Sequence, residues 1–261
     1  MKQITILLAL HKYDSNYEIM LKNAIQSCEQ FYNDVKLMII HPNSLYDHLK
    51  LSDLSNKLEI ELVGHEDSTD FCSQINVGIE ECDTEWLSIL EVDDEYTPNW
   101  LYSMNAYRKE NENVDVFLPI VKDINVEGKF IAYMNESTWA HGFSSEEGIL
   151  TNDLLLDYLV YQTSGGLYKT TLLKENKGFK TNMKVTFGYE LLLRLTHNGA
   201  RIMTVPKVGY IHVNLRGDSL FDQYRNSEEN KIDEMESKFW LDTAKREFFF
   251  KNQREVNYKK T

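Results

Sequence analysis

Four short apolar runs constrain this chain more than any other feature: Ile4 to Leu10, Val35 to Ile40, Leu58 to Val63 and Trp86 to Leu90. The first is unbroken and contains β-branched residues, the pattern of a strand buried on both faces. Between the runs the apolar period changes. Met20, Leu21, Ala24, Ile25, Cys28 and Phe31 fall on one helical face, and Phe71, Ile75, Ile79 and Cys82 repeat at helical spacing. Ser15 with Glu18 fits a capping box, and Thr97-Pro98 fits an N-cap followed by a proline in the first helical position. The first hundred residues therefore read β-α-β-β-α-β-α, a parallel sheet with crossover helices. Such a sheet binds ligands outside the carboxyl ends of its strands. His11, His41 and the acidic run from Glu91 to Glu95 all fall there.

The second half is less regular. Val114 to Val121 reads as a strand, and Glu127-Gly128-Lys129 as a hairpin turn before Phe130 to Tyr133. Glu136 to Gly148 is a polar loop carrying Trp139 and His141. Gly165-Gly166-Leu167-Tyr168 leads into a short helix that stops at Lys177-Gly178. Tyr189 to His197 reads as a helix closed by Asn198-Gly199. Arg201 to Val205 and Tyr210 to Val213 read as strands, and a charged helical segment follows Ser227.

Composition limits the function classes. Apolar residues make up 42% of the 261, enough for a packed core. Lys and Arg total 28 against 41 Asp and Glu, a net charge of −13, which weighs against a general polyanion binder. The three cysteines, Cys28, Cys72 and Cys82, form no CxxC pair, so they are expected as buried thiols in a reducing compartment. The apolar N-terminal stretch is short and lacks a cleavage site, so it reads as a first strand rather than a leader. No apolar run reaches the roughly 20 residues of a membrane helix. The expected location is cytoplasmic.

Glu91, Asp93, Asp94 and Glu95 place four carboxylates within five residues at a strand end. Carboxylates that close repel unless a cation offsets them, and hard divalent ions with oxygen ligands do so. A solvated acidic loop is the competing reading.

The surrounding segments resemble the family 2 glycosyltransferases, nucleotide-sugar enzymes of GT-A fold. Asn76-Val77-Gly78-Ile79 is similar to the family's Asn-x-Gly-Ile helix. Glu85 to Asp94 resembles its strand ending in Asp-x-Asp-Asp, and Thr97-Pro98-Asn99-Trp100-Leu101 its following turn and helix. Gly165 to Lys169 with Lys177-Gly178-Phe179 resembles the segment that opens the acceptor half. Tyr189 to Leu195 with Gly199 resembles the helix after the family's Glu-Asp pair, and Tyr210 to Leu220 its donor-closing segment. The match runs over roughly residues 3 to 222.

The resemblance implies an α/β GT-A fold with a Rossmann-like, mostly parallel central sheet flanked by helices. It divides the chain into a transferase domain at 1–222 and a C-terminal helical extension at 223–261. Within the domain, 1–110 is the nucleotide-sugar half and 111–222 the acceptor half. The implied activity is metal-dependent, inverting transfer of a sugar from a nucleotide-sugar donor to a hydroxyl, with Mn²⁺ or Mg²⁺ as cofactor. Asp93 takes the family's metal-binding position, Glu91 the preceding acid, and Asp94 the acid that faces the donor. His212 is a further candidate metal ligand. Arg216 and Ser219 would contact the diphosphate, and His11, His41 and Asn76 complete the donor-side candidates. Trp139, His141, Tyr161 and Gln162 are the acceptor-side candidates.

Three departures stand out. His41-Pro42-Asn43-Ser44 replaces the acid that usually reads the base. Asp70 stands where the family often has an Arg. Phe187-Gly188 occupies the place of the Glu-Asp pair that supplies the base. Glu190 is the nearby carboxylate, and an inverting transferase needs a base within reach of the acceptor hydroxyl. Glu190 is therefore the expected catalytic base, with an ion pair to Arg194 one turn on as the alternative. The acceptor could be a glycan, a protein, a small molecule or a hydroxylated DNA base. Against DNA stands the net charge; for it stands the basic run Lys245, Arg246, Lys251, Arg254, Lys259 and Lys260. A binding protein that kept the fold and lost catalysis is the second reading. A nucleotidyltransferase ranks last, because the loop after the first strand, Ala9 to Asp14, has no glycine.

Overall fold

A computed structural model describes residues 2–51, 53–66, 69–136, 148–157, 161–214, 216–217, 219–226 and 232–239. Trp139, His141 and the basic run from Lys245 onward lie outside the described residues.

Four strands form the parallel half of the sheet: β1 (Ile4–Ala9), β2 (Val35–His41), β3 (Ile60–Gly64) and β4 (Trp86–Leu90). They are joined through helices α1 (Ser15–Glu29), α2 (Tyr46–Leu51) and α3 (Phe71–Glu81). Along β1, Ile4, Ile6 and Leu8 pack on one side of the sheet, and Leu7 and Ala9 on the other. Both faces are covered, which explains the unbroken apolar run. Gly78 on α3 lets that helix press close to the sheet. A Cβ there would lie 2.8 Å from Ile40 Cδ1 and 3.0 Å from Leu7 Cδ2.

After β4 the chain turns through Glu91–Asp94 into a two-residue strand, β5 (Glu95–Tyr96), and then α4 (Trp100–Glu110). The second half supplies β6 (Val116–Asn125), β7 (Phe130–Met134), β8 (Ile149–Leu150), α5 (Asn152–Asp157), β9 (Leu167–Lys169), α6 (Thr170–Glu175), α7 (Phe187–His197), β10 (Ile202–Asn214), α8 (Leu220–Asn226) and α9 (Ile232–Phe239). The strand order is β3-β2-β1-β4-β9-β6-β10-β5, with β7 on β6 and β8 on β10. Strand β9 runs antiparallel to both β4 and β6 and joins the two halves into one sheet. Helices α1 and α4 cover one face, and α3 and α7 the other.

Several local expectations are corrected. The cap of α1 is Asp14 rather than Ser15; its carboxylate accepts from the Asn16 and Tyr17 amides. Helix α4 starts at Trp100, because the Thr97 hydroxyl donates to the Val208 carbonyl at 2.9 Å instead of capping. Leu167 to Lys169 is itself a short strand, and the helix it is expected to lead into follows at Thr170–Glu175. The two segments expected at 201–205 and 210–213 are one strand, β10, with irregular register between Val205 and Tyr210. Asp70 caps α3 through the Ser73 amide at 2.9 Å and pairs with Lys184.

Candidate active site at the carboxyl ends of the strands

The acidic turn is fixed from both sides. The Glu91 amide donates to the Tyr210 hydroxyl at 3.0 Å, and β5 pairs Tyr96 with Tyr210. Gly165 lets Tyr210 approach: its φ is +79°, and a Cβ there would sit 2.5 Å from the Tyr210 ring. The Gly165 amide donates to Ile89 and its carbonyl accepts from the Trp100 indole, so the glycine loop is tied to both ends of the turn.

Each carboxylate of the turn has its own surroundings. Glu91 Oε1 accepts from the Ser164 hydroxyl at 2.7 Å and from Gln162 Nε2 at 3.2 Å. Asp94 is fully buried and accepts from the Val213 amide at 2.9 Å, with His212 Nδ1 at 3.0 Å. One ligand atom from each of Glu91, Asp94 and His212 lies within 4.8 Å of the others. Asp93 faces elsewhere, with Arg216 Nε at 3.4 Å. That guanidinium also lies over the Tyr17 ring and donates to its hydroxyl at 3.1 Å; His11 Nε2 is 3.0 Å from the same hydroxyl. The expected cation set is Glu91, Asp93 and His212; in the structure Asp94 lies with Glu91 and His212, and Asp93 lies beside Arg216. The cause is β10, whose Val213 amide and His212 ring both meet Asp94.

Burial pushes the Glu91 carboxyl up, and the Asp94 charge adds to it, against His212 and two hydrogen bonds. Burial also raises Asp93, with Glu91 adding to it and Arg216 opposing. Asp94 is raised by burial and partly offset by His212. Burial pulls the His212 imidazole down, but the Asp94 carboxylate and its acidic neighbours hold it up at about 10. The cluster therefore holds more protons than its separate groups would. Protons and a divalent cation compete for such a site.

The turn opens into a cavity of about 590 Å³. Of the expected site residues, His11, Glu91, Asp93, Tyr161, Gln162, His212, Arg216 and Ser219 line it, and Asp94 lies behind His212. Three others do not line it. His41 is buried, with Nδ1 2.8 Å from the Pro42 carbonyl oxygen and its ring stacked on Tyr46. Asn76 bridges both backbone groups of Phe179, at 2.8 and 2.7 Å, and so clamps α3 to the 176–179 turn. Glu190 is fully buried and held by Arg194 and Lys180. The alternative ion pair is what forms. Sequence reasoning missed Ser164, which binds Glu91, and Asp123 and Asn214, which line the cavity. Only Ser164 carried a signal, its place beside the Gly165-Gly166 pair.

Residues 16–174 match the family model described as Glycosyl transferase family 2. No curated protein sequence matches the chain. Among solved structures, S. aureus TarS 1-349 is 18% identical with a TM-score of 0.62, covering 82% of this chain and 60% of its own. TarS 1-349 in complex with UDP is 16% identical with a TM-score of 0.60, covering 96% and 74%. The mannosyltransferase PcManGT from Pyrobaculum calidifontis, in complex with GDP-Man and Mn²⁺, is 12% identical with a TM-score of 0.59, covering 82% and 58%. This chain thus spans about 60% of the TarS 1-349 chain it matches. The expected GT-A fold, with its mostly parallel sheet flanked by helices, is the fold observed. Among the described residues no helix is long and apolar enough to cross a membrane.

Proposed function

The chain belongs to glycosyl transferase family 2, and from that premise we propose that it moves a sugar from a nucleotide-sugar donor to a hydroxyl acceptor, with inversion and with a divalent cation. One observation carries this reading: Glu91, Asp94 and His212 converge at the carboxyl end of β4, beside a cavity that Arg216 also lines. The donor set suits the cation. Two buried carboxylates and an imidazole offer oxygen and nitrogen ligands to Mn²⁺ or Mg²⁺. When bound, the ion would supply positive charge against the leaving diphosphate. A TarS structure holds UDP-GlcNAc and the PcManGT structure holds GDP-Man with Mn²⁺; both kinds of donor are candidates here.

This chain's own residues do the remaining work. Arg216, now 3.4 Å from Asp93, lines the cavity together with Arg225 and is the cation that would turn to phosphate oxygens. Ser219 and His11 line the same cavity and are the proposed donor contacts; Tyr161 and Gln162 line it too and are the proposed acceptor contacts. Gln162 and Ser164 hold Glu91 in place through direct hydrogen bonds. Three buried thiols fit a reducing compartment, so we assign the chain to the cytoplasm.

A second reading has its own support. Glu190 is tied into an ion pair, and Phe187-Gly188 offers no base, as in a fold kept for binding alone. A thermal-shift panel of UDP-, GDP-, ADP- and dTDP-sugars, with and without Mn²⁺, tests the primary reading. A cation-dependent rise in Tm with one nucleotide class, lost in Asp94→Asn, is expected. No shift with any nucleotide sinks the donor site. Binding without nucleotide release supports the second reading.

A further inference from the structure

We propose that Asp123 is the catalytic base of the transfer, the group that takes the acceptor's proton. The inference rests on the transferase reading above and deepens it.

Asp123 lies on β6, in register with His212 on β10 and with Ala132 on β7. Neighbouring strands are about 4.8 Å apart, so Asp123 stands one strand away from the cation cluster. It lines the same cavity as Glu91 and His212, on the wall formed by the 111–222 half. Asp123 is only 5% exposed, yet its two carboxylate oxygens are not alike. Oδ2 accepts from Asn214 Nδ2 at 3.1 Å. Oδ1 is buried and is the one buried carboxylate oxygen among the described residues without a hydrogen bond.

A buried acceptor with no donor costs stability. Such an atom calls for an explanation, and a hydroxyl entering the cavity that Asp123 lines would supply the missing donor. The other acids of the region are otherwise engaged. Glu190 is closed off by Arg194, Asp94 holds His212 and the Val213 amide, and Asp93 faces Arg216. Asn214 fixes the carboxylate through Oδ2, which leaves Oδ1 as the oxygen without a partner that would take the proton.

The step balances as follows. The acceptor oxygen uses a lone pair to form the bond to the donor's anomeric carbon, and its proton passes to Asp123 Oδ1. The bond between that carbon and the diphosphate oxygen breaks, and its electron pair leaves with the nucleoside diphosphate. Asp123 then returns the proton to solvent.

The test measures nucleotide release from UDP- and GDP-sugars with Mn²⁺, using water and glycerol as acceptors, in the full chain and in Asp123→Asn. Donor Kd is measured in parallel by calorimetry, and Tm by scanning. A base contributes about 10²- to 10⁴-fold, so release should fall by that factor. Donor Kd should stay within about twofold, because uniform binding is untouched. Tm should hold or rise, because a buried carboxylate with one oxygen lacking a donor has been replaced by a neutral amide that can still accept from Asn214. Release within about threefold of wild type at unchanged Kd overturns the assignment. So does a Tm loss of more than about 5 °C, which would make Asp123 a structural acceptor for Asn214. A wild-type chain that binds no nucleotide sugar sinks the transferase reading itself, a result separable from the other two.

Discussion

Arg194 grips Glu190 through two parallel hydrogen bonds, Nε to Oε1 at 2.7 Å and Nη2 to Oε2 at 2.8 Å. The carboxylate has no exposure, and the guanidinium also donates to the Asn176 and Gly178 carbonyls. The pair pins α7 to the 176–178 turn.

That geometry predicts a stability effect rather than a catalytic one. Breaking a buried pair by removing one partner costs about 3–5 kcal/mol. Glu190→Ala leaves Arg194 with two carbonyl partners, so it should sit at the lower end. Arg194→Ala leaves a buried carboxylate with only Lys180, itself half-exposed, and should sit at the upper end. Urea unfolding of both variants checks the order. Donor binding should survive in each at temperatures where it is folded. A Glu190→Ala chain as stable as wild type but unable to release nucleotide would return Glu190 to the role of base.

Gly165 offers a second test with its own control. An L-residue at its φ of +79° costs about 1–2 kcal/mol from backbone alone. The Tyr210 ring in its path adds about 1–3 kcal/mol of overpacking. Gly199 has a φ of +90° with nothing within 4 Å, so it carries the backbone cost only. Gly165→Ala should therefore lose more stability than Gly199→Ala. It should also weaken Mn²⁺ binding, since Tyr210 accepts the Glu91 amide. Equal losses in the two variants, with equal Mn²⁺ affinity, would mean Tyr210 yields freely and does not position the acidic turn.

The acidic turn predicts a pH dependence with a definite sign. His212 is raised from 6.5 to about 10 in the folded chain. Its contribution to stability is complete below 6.5 and is lost as pH rises through about 10. Burial raises Glu91, Asp93 and Asp94 as well, and ionising them in the fold works in the same direction. With EDTA present, Tm should fall between about pH 6.5 and 10. With Mn²⁺ the slope should flatten, and the apparent Kd for the ion should drop as pH rises, because binding releases protons. Calorimetry in buffers of different ionisation enthalpy counts those protons. A Kd for Mn²⁺ that does not change from pH 6.5 to 8.5 would rule out a site built on Glu91, Asp94 and His212.

Physical reasons separate what the sequence disclosed from what it hid. Strands β1, β2 and β4 were legible because both of their faces are buried, which writes an unbroken apolar run into the chain. Strand β9 was not. Its three residues become a strand only by pairing with Trp86–Ser88 and Val116–Phe117, partners far away in sequence. The acidic cluster stood out at a strand end, but its division did not. Which acid meets His212 depends on how β10 lies beside the turn. Asp123 carried no local signal, since one Asp in a strand resembles any solvated side chain until the fold buries it.

Glu236 reaches from α9 to the start of α7. Its carboxylate accepts the Val185 amide at 3.0 Å, the Thr186 amide at 2.7 Å and the Thr186 hydroxyl at 2.8 Å, together with the Lys184 amide. These are amides that α7 cannot satisfy within itself, and negative charge is favoured at a helix N-terminus. Val185 to Tyr189 also line the cavity, so this contact supports one of its walls. Glu236→Ala removes the acceptor from half-buried donors, a cost at the lower end of about 1–3 kcal/mol. Hydrogen exchange should show faster loss of protection at Val185 and Thr186 than at the Leu191 to Leu195 amides in mid-helix. Nucleotide binding should weaken without being lost, because Glu91, Asp94 and His212 are held by other elements. Unchanged exchange at Val185 and Thr186 would mean those amides find other partners and the α9 contact does not support the wall.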